Sequence, residues 1–142
     1  MKRKNKKVVN SKKYIVDGID FKSGLEVYMY KKLKENDIFA EYEKMKFEIM
    51  PSFDFPCSSY ERKGKGDFKE QGNKKVRGIS YTPDFVGDKF VIETKGRANE
   101  RFPIIWKLFK KLMVELENDV DLYKPQNQKD CDEVVKLILN RM

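Results

Sequence analysis

The sequence predicts an α/β protein with a small mixed β-sheet flanked by helices. Three observations carry that expectation. The run Phe90-Val91-Ile92 is apolar at successive positions, as in a strand covered on both faces. Two later segments, 103–117 and 130–139, repeat apolar residues at helical spacing. The order of segments is helix, strand, loop, hairpin, helix, strand, helix without an internal repeat, a pattern that sets helices against a sheet.

At 142 residues the chain has the size of one compact domain with a real core. Residues 1–13 carry seven Lys or Arg and no acid, so they read as a flexible basic arm, with 14–142 as the single domain. Ser23-Gly24-Leu25-Glu26 opens a helix that runs to about Asn36, with Leu25, Tyr28, Met29 and Leu33 on one face. Residues 39–50 read as a strand region, since Met45, Phe47 and Ile49 alternate with Lys46 and Glu48, and Pro51 ends it. The segment 51–78 then holds Pro51, Pro56, four of the eight glycines, and seven basic against four acidic residues, which reads as a basic Gly-rich insertion, a loop or loose hairpin. A tight hairpin follows, from Tyr81 to Val86, through Gly87-Asp88, and back along Lys89 to Lys95, with 90–92 central in the sheet. Pro103 suits the first turn of a helix reaching about Glu117, with Ile105, Leu108, Phe109, Leu112 and Leu116 inward. A short strand at 120–123 leads to a last helix capped by Asp130, with Val134, Val135, Ile138 and Leu139 buried.

A formal charge of +8 and a pI near 9.3 point to a polyanionic partner, nucleic acid first, although the same lysines also serve solubility. The most apolar region, 102–116, is interrupted by Lys107, Lys110 and Lys111, so no membrane span is expected. Cys57 and Cys131 stand alone, which fits free thiols in a reducing cytosol. The chain contains no histidine, so imidazole is excluded as base, nucleophile or zinc ligand, and with it Ser-His-Asp hydrolases and HExxH metalloproteases. Hydrolysis here has to rest on carboxylates, lysines and a hard metal ion.

The segment Thr82-Pro83-Asp84-Phe85, followed by Phe90-Val91-Ile92-Glu93-Thr94-Lys95-Gly96, supplies such a set. Strand side chains alternate, so Glu93 and Lys95 point the same way, and the hairpin turn brings Asp84 alongside them. Converging carboxylates suit Mg2+, with Mn2+ as a substitute, one or two ions per site. Phosphodiester hydrolysis needs a hydroxide at neutral pH and a counter-charge for the transition state, and a metal supplies both. Lys95 would help orient or deprotonate the water, Glu26 would hold part of a second ion, and the Thr94 carbonyl would complete the coordination. Each residue also has a plainer role: Glu26 as half of a capping box with Ser23, Asp84 as turn chemistry after Pro83, Glu93 and Lys95 as a solvated pair. It is their joint occurrence that favours the chemical reading.

This joint pattern is that of the PD-(D/E)XK nucleases. Together, Ser23-Gly24-Leu25-Glu26, Glu41-Tyr42-Glu43, Tyr81-Thr82-Pro83-Asp84-Phe85 and Glu93-Thr94-Lys95-Gly96 resemble the phage endonuclease I family of Holliday-junction resolvases, over roughly residues 21–112. The resemblance implies a restriction-endonuclease-like core, Glu26, Asp84 and Glu93 as acidic metal ligands, and Lys95 as the catalytic lysine. It implies a homodimer cutting branched double-stranded DNA at two symmetric phosphates, in the cytoplasm of a bacterial or phage-infected cell. The sequence departs from the family at 51–78, where the family has a much shorter link over which two chains exchange halves. Exchange of halves and a chain folded back on itself therefore both stay open.

Phosphate contacts are expected from Lys2, Arg3, Lys4, Lys6, Lys7, Lys12 and Lys13 in the arm, from the Arg62–Arg77 segment, and from Arg97 and Arg101. Tyr60, Phe53 and Phe55 have the chemistry to stack on unpaired bases, with packing as the plainer role. Two rival readings share the core: a sequence-specific or nicking endonuclease, and a non-catalytic DNA-binding protein. Cleavage of a junction compared with a linear duplex separates the first rival, and metal-dependent cutting removes the second.

Overall fold

The computed structural model describes residues 14–72, 74–95 and 100–142 and is a mixed α/β fold. The arm 1–13, with Lys2, Arg3, Lys4, Lys6, Lys7, Lys12 and Lys13, lies outside the described residues, as does Arg97. The described residues open with a hairpin that the sequence did not lead us to expect, β1 (Tyr14–Val16) and β2 (Ile19–Phe21), turned at Asp17 (φ 51°) and Gly18 (φ 75°). Asp-Gly is the favoured dipeptide for such a two-residue turn, so the signal was present.

Helix α1 (Gly24–Glu35) begins where the capping residue predicts, the Ser23 Oγ accepting from the Glu26 N–H at 3.2 Å. It ends with Asp37 in the left-handed region (φ 55°), while the Ile38 N–H reaches the Leu33 carbonyl and the Asp37 N–H the Lys34 carbonyl. This pair of bonds satisfies the last carbonyls of the helix.

The main sheet has the order β12-β11-β10-β3, built from β3 (Glu41–Tyr42), β10 (Phe85–Val86), β11 (Phe90–Ile92) and β12 (Asp121–Tyr123). β10 runs antiparallel to both β3 and β11, and β11 runs parallel to β12. All three β11 residues are buried, as expected of a central strand. Phe90 and Ile92 pack with Phe85 against α1 and against α3 (Gln128–Arg141), while Val91 packs on the opposite side against α2 (Phe102–Glu115). The sheet is thus sandwiched between helices.

Several expectations need correction. The region 39–50 does not form one strand: Glu43 takes a left-handed conformation (φ 46°) after β3, and the chain restarts as β4 (Phe47–Met50), which pairs with β9 (Ile79–Tyr81). Tyr81 therefore belongs to β9, and the first strand of the tight hairpin is only Phe85–Val86. Of the two readings of the insertion 51–78, the hairpin holds, with strands firmer than a loose one: β5 (Phe53–Phe55) pairs with β8 (Lys74–Val76) and β6 (Tyr60–Glu61) with β7 (Lys69–Glu70). In α2 the buried stripe is Phe102, Ile105, Trp106, Phe109 and Met113, because the helix turns its aromatic side to Tyr81; Leu108 and Leu116 are exposed. The cap of α3 is Asn127, whose Oδ1 accepts from the Asp130 N–H at 2.8 Å, and Leu139 points outward while Cys131 joins Val134, Val135 and Ile138 inside. Cys57 and Cys131 are both free thiols. Among the described residues no helix is long and apolar enough to cross a membrane.

The revised stripe sets a stability test. Phe109 is fully buried against the rings of Phe47, Tyr81 and Trp106, so Phe109→Ala is expected to lower unfolding free energy by ~3–5 kcal/mol. Leu116→Ala, at an exposed position, should change it by less than ~0.5 kcal/mol. Chemical denaturation of both variants checks the assignment, and equal losses would contradict it.

Candidate metal centre

The site forms where β10 and β11 run out together at one end of the main sheet. Continuing the register Phe85↔Ile92 by one step sets Asp84 opposite Glu93. Here the ladder gives way to side chains. The Thr94 N–H and hydroxyl both donate to the Asp84 Oδ2, at 2.8 and 2.6 Å, and the Asp84 N–H donates to the Glu93 Oε2 at 3.2 Å. Each acid thus accepts a backbone donor from the opposite strand end. On the other edge of that extension the Glu93 and Lys95 N–H groups bond the Tyr123 and Pro125 carbonyls, both at 2.9 Å. Alternate residues 91, 93 and 95 accordingly share the face toward α2, as strand geometry requires.

Glu26 enters from the first turn of α1. Its carboxylate Oε2 accepts from the Lys22 N–H at 3.2 Å and from the Tyr42 hydroxyl, and the side chain is buried. Half of the expected capping box is present: the Glu26 N–H takes the Ser23 cap, while its carboxylate points back along the preceding chain to the Lys22 N–H rather than to that of Ser23. Glu43 is the acid that sequence reasoning did not assign. Its N–H donates to the Asp84 carbonyl at 2.9 Å, and its left-handed backbone turns the side chain inward. Carboxylate oxygens of Glu26, Glu43 and Asp84 all lie within 4.8 Å of one another. Glu43 appeared in the sequence only within the motif Glu41-Tyr42-Glu43; a left-handed kink at an acidic residue leaves no periodicity to detect.

Glu93 stands beside this trio with its Oε2 also accepting from the Tyr81 hydroxyl at 2.6 Å. Lys95 is half-buried, with its Nζ 4.3 Å from the centroid of the Phe102 ring, a cation–π contact. Thr94, expected to offer its carbonyl to a metal, is seen holding Asp84 through its donors. Lys22 pairs with Glu43 at 2.9 Å, which raises the lysine's pKa. Arg101 is exposed at the start of α2, and Lys107, Lys110 and Lys111 lie on that helix's outer face, where Lys111 pairs with Glu115 at 3.6 Å.

Burial dominates the electrostatics. It pushes the Asp84 carboxyl up to about 7, assisted by the Glu93 charge and opposed by the Thr94 donors. Burial likewise raises Glu93, against the hydrogen bonds from Tyr81 and Asp84 and the charge of Lys95. Tyr42 and Tyr81 are driven well above the usual phenol range by burial and by their carboxylate partners, so both stay protonated as donors. A hard divalent cation suits these residues: the donors are all oxygen, they converge, and a positive ion would favour the ionised form of Asp84 that burial disfavours.

A family model described as a protein of unknown function, DUF1064, matches residues 6–125. No curated protein and no solved structure matches the chain.

The raised Asp84 pKa makes stability depend on pH in a defined direction. A carboxyl whose folded pKa lies above its unfolded value of 3.8 stabilises the fold fully below about pH 4, and that contribution is lost as pH rises through about 7. Metal-free protein is therefore expected to lose on the order of a few kcal/mol from this group between pH 4 and 8, and Mg2+ or Mn2+ to restore stability at pH 8. Asp84→Asn should remove the Asp84 share of this pH dependence, leaving that of the similarly raised Glu93, and weaken the rescue. Melting curves across pH with chelator and with each ion check this; a flat wild-type profile would contradict it.

Proposed function

Because the chain belongs to the DUF1064 family, whose description carries no activity, its function has to be argued from the site, and we propose that it is a metal-dependent, structure-selective DNA endonuclease, a Holliday-junction resolvase with a restriction-endonuclease-like core. The observation that carries this reading is the convergence of Glu26, Glu43 and Asp84 within 4.8 Å, beside Glu93 and Lys95 at the end of the central strand. The order of these residues along the elements is also the order of the PD-(D/E)XK pattern. Glu26, Glu43 and Asp84 would hold a Mg2+ ion, with Glu93 next to them, and Mn2+ would substitute. When bound, the ion supplies Lewis acidity toward the scissile phosphate and toward water.

The chain's own groups do the rest. Tyr81 and the Asp84 N–H fix the Glu93 carboxylate, and Thr94 fixes that of Asp84, so the acids are held before substrate arrives. Pre-set ligands avoid the entropy cost of ordering them during reaction. Lys95 rests on the Phe102 ring, from which its ammonium can reach toward an attacking water or a phosphate oxygen. Lys22, largely exposed at the mouth of the trio, offers a second cation for a phosphate. Affinity for the DNA backbone rests on the excess of Lys and Arg, which neutralise phosphates without reading sequence. A homodimer would match the two-fold symmetry of a four-way junction and deliver paired nicks.

Asp84→Asn and Glu93→Gln are each expected to reduce cleavage of a four-way junction in Mg2+ by at least the ~10- to 100-fold typical of losing a residue that supports a metal site, while junction binding stays near wild type, since the changes remove ligand charge and little DNA contact. Lys95→Ala should behave likewise. Gel assays of junction, flap and linear DNA with magnesium and with chelator provide the measurement, and undiminished cutting by both acid variants would reject the site.

Glu26 and Asp84 meet within one chain, so the site can be completed without an exchange of halves, and the dimer of this reading is one without exchange. Refolding Glu26→Gln and Asp84→Asn chains together is then expected to give inactive heterodimers, because every site keeps one lesion. Restored nicking of one strand would instead demand that the two acids come from different chains.

A further inference from the structure

The segment 47–81 forms one long hairpin with two interruptions. Its root, β4 with β9, is tied to the body: Phe47 packs edge-on against Phe109, and Tyr81 packs against Phe102, Trp106 and Phe109 while its hydroxyl holds Glu93. At the first interruption the strands approach so closely that a Cβ on Gly78 would lie 2.6 Å from the Met50 carbonyl oxygen. At the second, a Cβ on Gly72 would lie 2.6 Å from the Ser59 nitrogen, and closer still to the Cys57 carbonyl. That crossing is bridged rather than left loose. The Gln71 N–H donates to the Ser59 carbonyl at 2.6 Å, and the Glu70 carboxylate accepts from the Ser59 N–H at 2.9 Å and from the Gly72 N–H. Those bonds lower the Glu70 pKa and keep it an anion committed to the backbone.

Beyond this crossing nothing is buried: residues 60–70 are exposed throughout. A bare two-stranded hairpin contributes little stability by itself. Yet this one carries Tyr60 and Phe68 at its end, 60% and 62% exposed, with ring centroids 6.2 Å apart. Their mutual contact leaves most of each ring open. The turn that follows, closed by the Gly66 N–H on the Lys63 carbonyl, bears Arg62, Lys63 and Lys65, and the shaft bears Lys74, Lys75 and Arg77. Across 51–78 there are seven basic against four acidic residues.

We propose that this arm is a second nucleic-acid contact that selects branched DNA, stacking Tyr60 and Phe68 on base faces left open at the branch point while the tip and shaft cations hold the flanking phosphates. This rests on the DNA-cutting reading above. The chemistry is specific in one respect. Phosphates are the same on every DNA, so the cations supply affinity, whereas an open base face exists only where stacking is interrupted, so the rings supply preference. A pre-shaped arm also pays less ordering entropy on binding than a loop of the same length.

The test uses the full chain in chelator, so that binding is read without cutting, with three probes: an immobile four-way junction, a linear duplex of the same sequence, and one of its single strands. Tyr60→Ala combined with Phe68→Ala is expected to weaken binding to the junction and to the single strand by ~10-fold and to the duplex by less than ~2-fold. Tyr60→Phe combined with Phe68→Tyr, which keeps both ring faces, should bind all three as the wild type does. Replacing Arg62, Lys63 and Lys65 by Ala should weaken all three probes, and on the duplex lower the salt slope by ~0.9 for each lost contact. Aromatic removal that leaves junction binding unchanged, or weakens junction and duplex equally, would overturn the proposal. Cleavage by the wild type in Mg2+ is scored separately. Ring-dependent junction preference without cleavage keeps the arm and rejects the nuclease; cleavage with ring-independent binding does the reverse.

Discussion

The structure turns on the burial of two carboxylates, Asp84 and Glu93, at the end of the central strand. Removing an ionised carboxylate from water costs several kcal/mol unless donors or a cation replace the lost hydration. Much of the local architecture answers that cost. Thr94 gives both of its donors to Asp84, the Asp84 backbone and Tyr81 give theirs to Glu93, and the strand ladder is replaced by these bonds where it would otherwise stop with open groups. The donors reduce the penalty without removing it, since both acids remain raised above their ordinary values. A positive ion nearby would favour the ionised forms that burial disfavours, and without one the pair favours its protonated forms.

Tyr81 joins this electrostatic requirement to the rest of the molecule. One side of the residue sits in the aromatic cluster under α2, its backbone ends the root of the hairpin arm, and its hydroxyl meets Glu93. Core packing, the arm and the acidic site therefore share one side chain. Aromatic cores are stiff because side chains fill space at crystal-like density, so a load on the arm root is transmitted rather than absorbed. The proton on the Tyr81 hydroxyl is itself secured by burial and by the carboxylate it serves.

Glu43 shows how a local distortion brings a third acid to the cluster. A left-handed conformation at a non-glycine residue is unfavourable, and it persists here because the Glu43 N–H finds the Asp84 carbonyl and because the kink ends β3 where the acids gather. The same kink divides what would have been one strand, sending β4 away from the main sheet to pair with β9.

Local chemistry accounts for what could be read from the sequence by itself. Ser23 caps α1, Phe90-Val91-Ile92 is central in the sheet, and Asp84 and Glu93 face one another across a tight hairpin, each because its signal is confined to a few neighbouring residues or to a strand's twofold period. The Asp17-Gly18 hairpin was equally local and was legible in principle. What only the tertiary structure decided depends on residues distant in the chain. Leu108 and Leu116 fit the helical period as well as Trp106 and Met113 do, and it is the position of the Tyr81 ring that chooses which side of α2 is inward. The pairing of 53–61 with 69–76 brings together strands whose own sequences carry weak alternation, so composition shows a Gly-rich loop or loose hairpin where backbone bonds and two close glycine crossings make an arm. Likewise the convergence of Glu26, Glu43 and Asp84 is a property of three separate elements meeting at one sheet end. Periodicity reports which face of an element is apolar, but only packing between elements determines what that face meets.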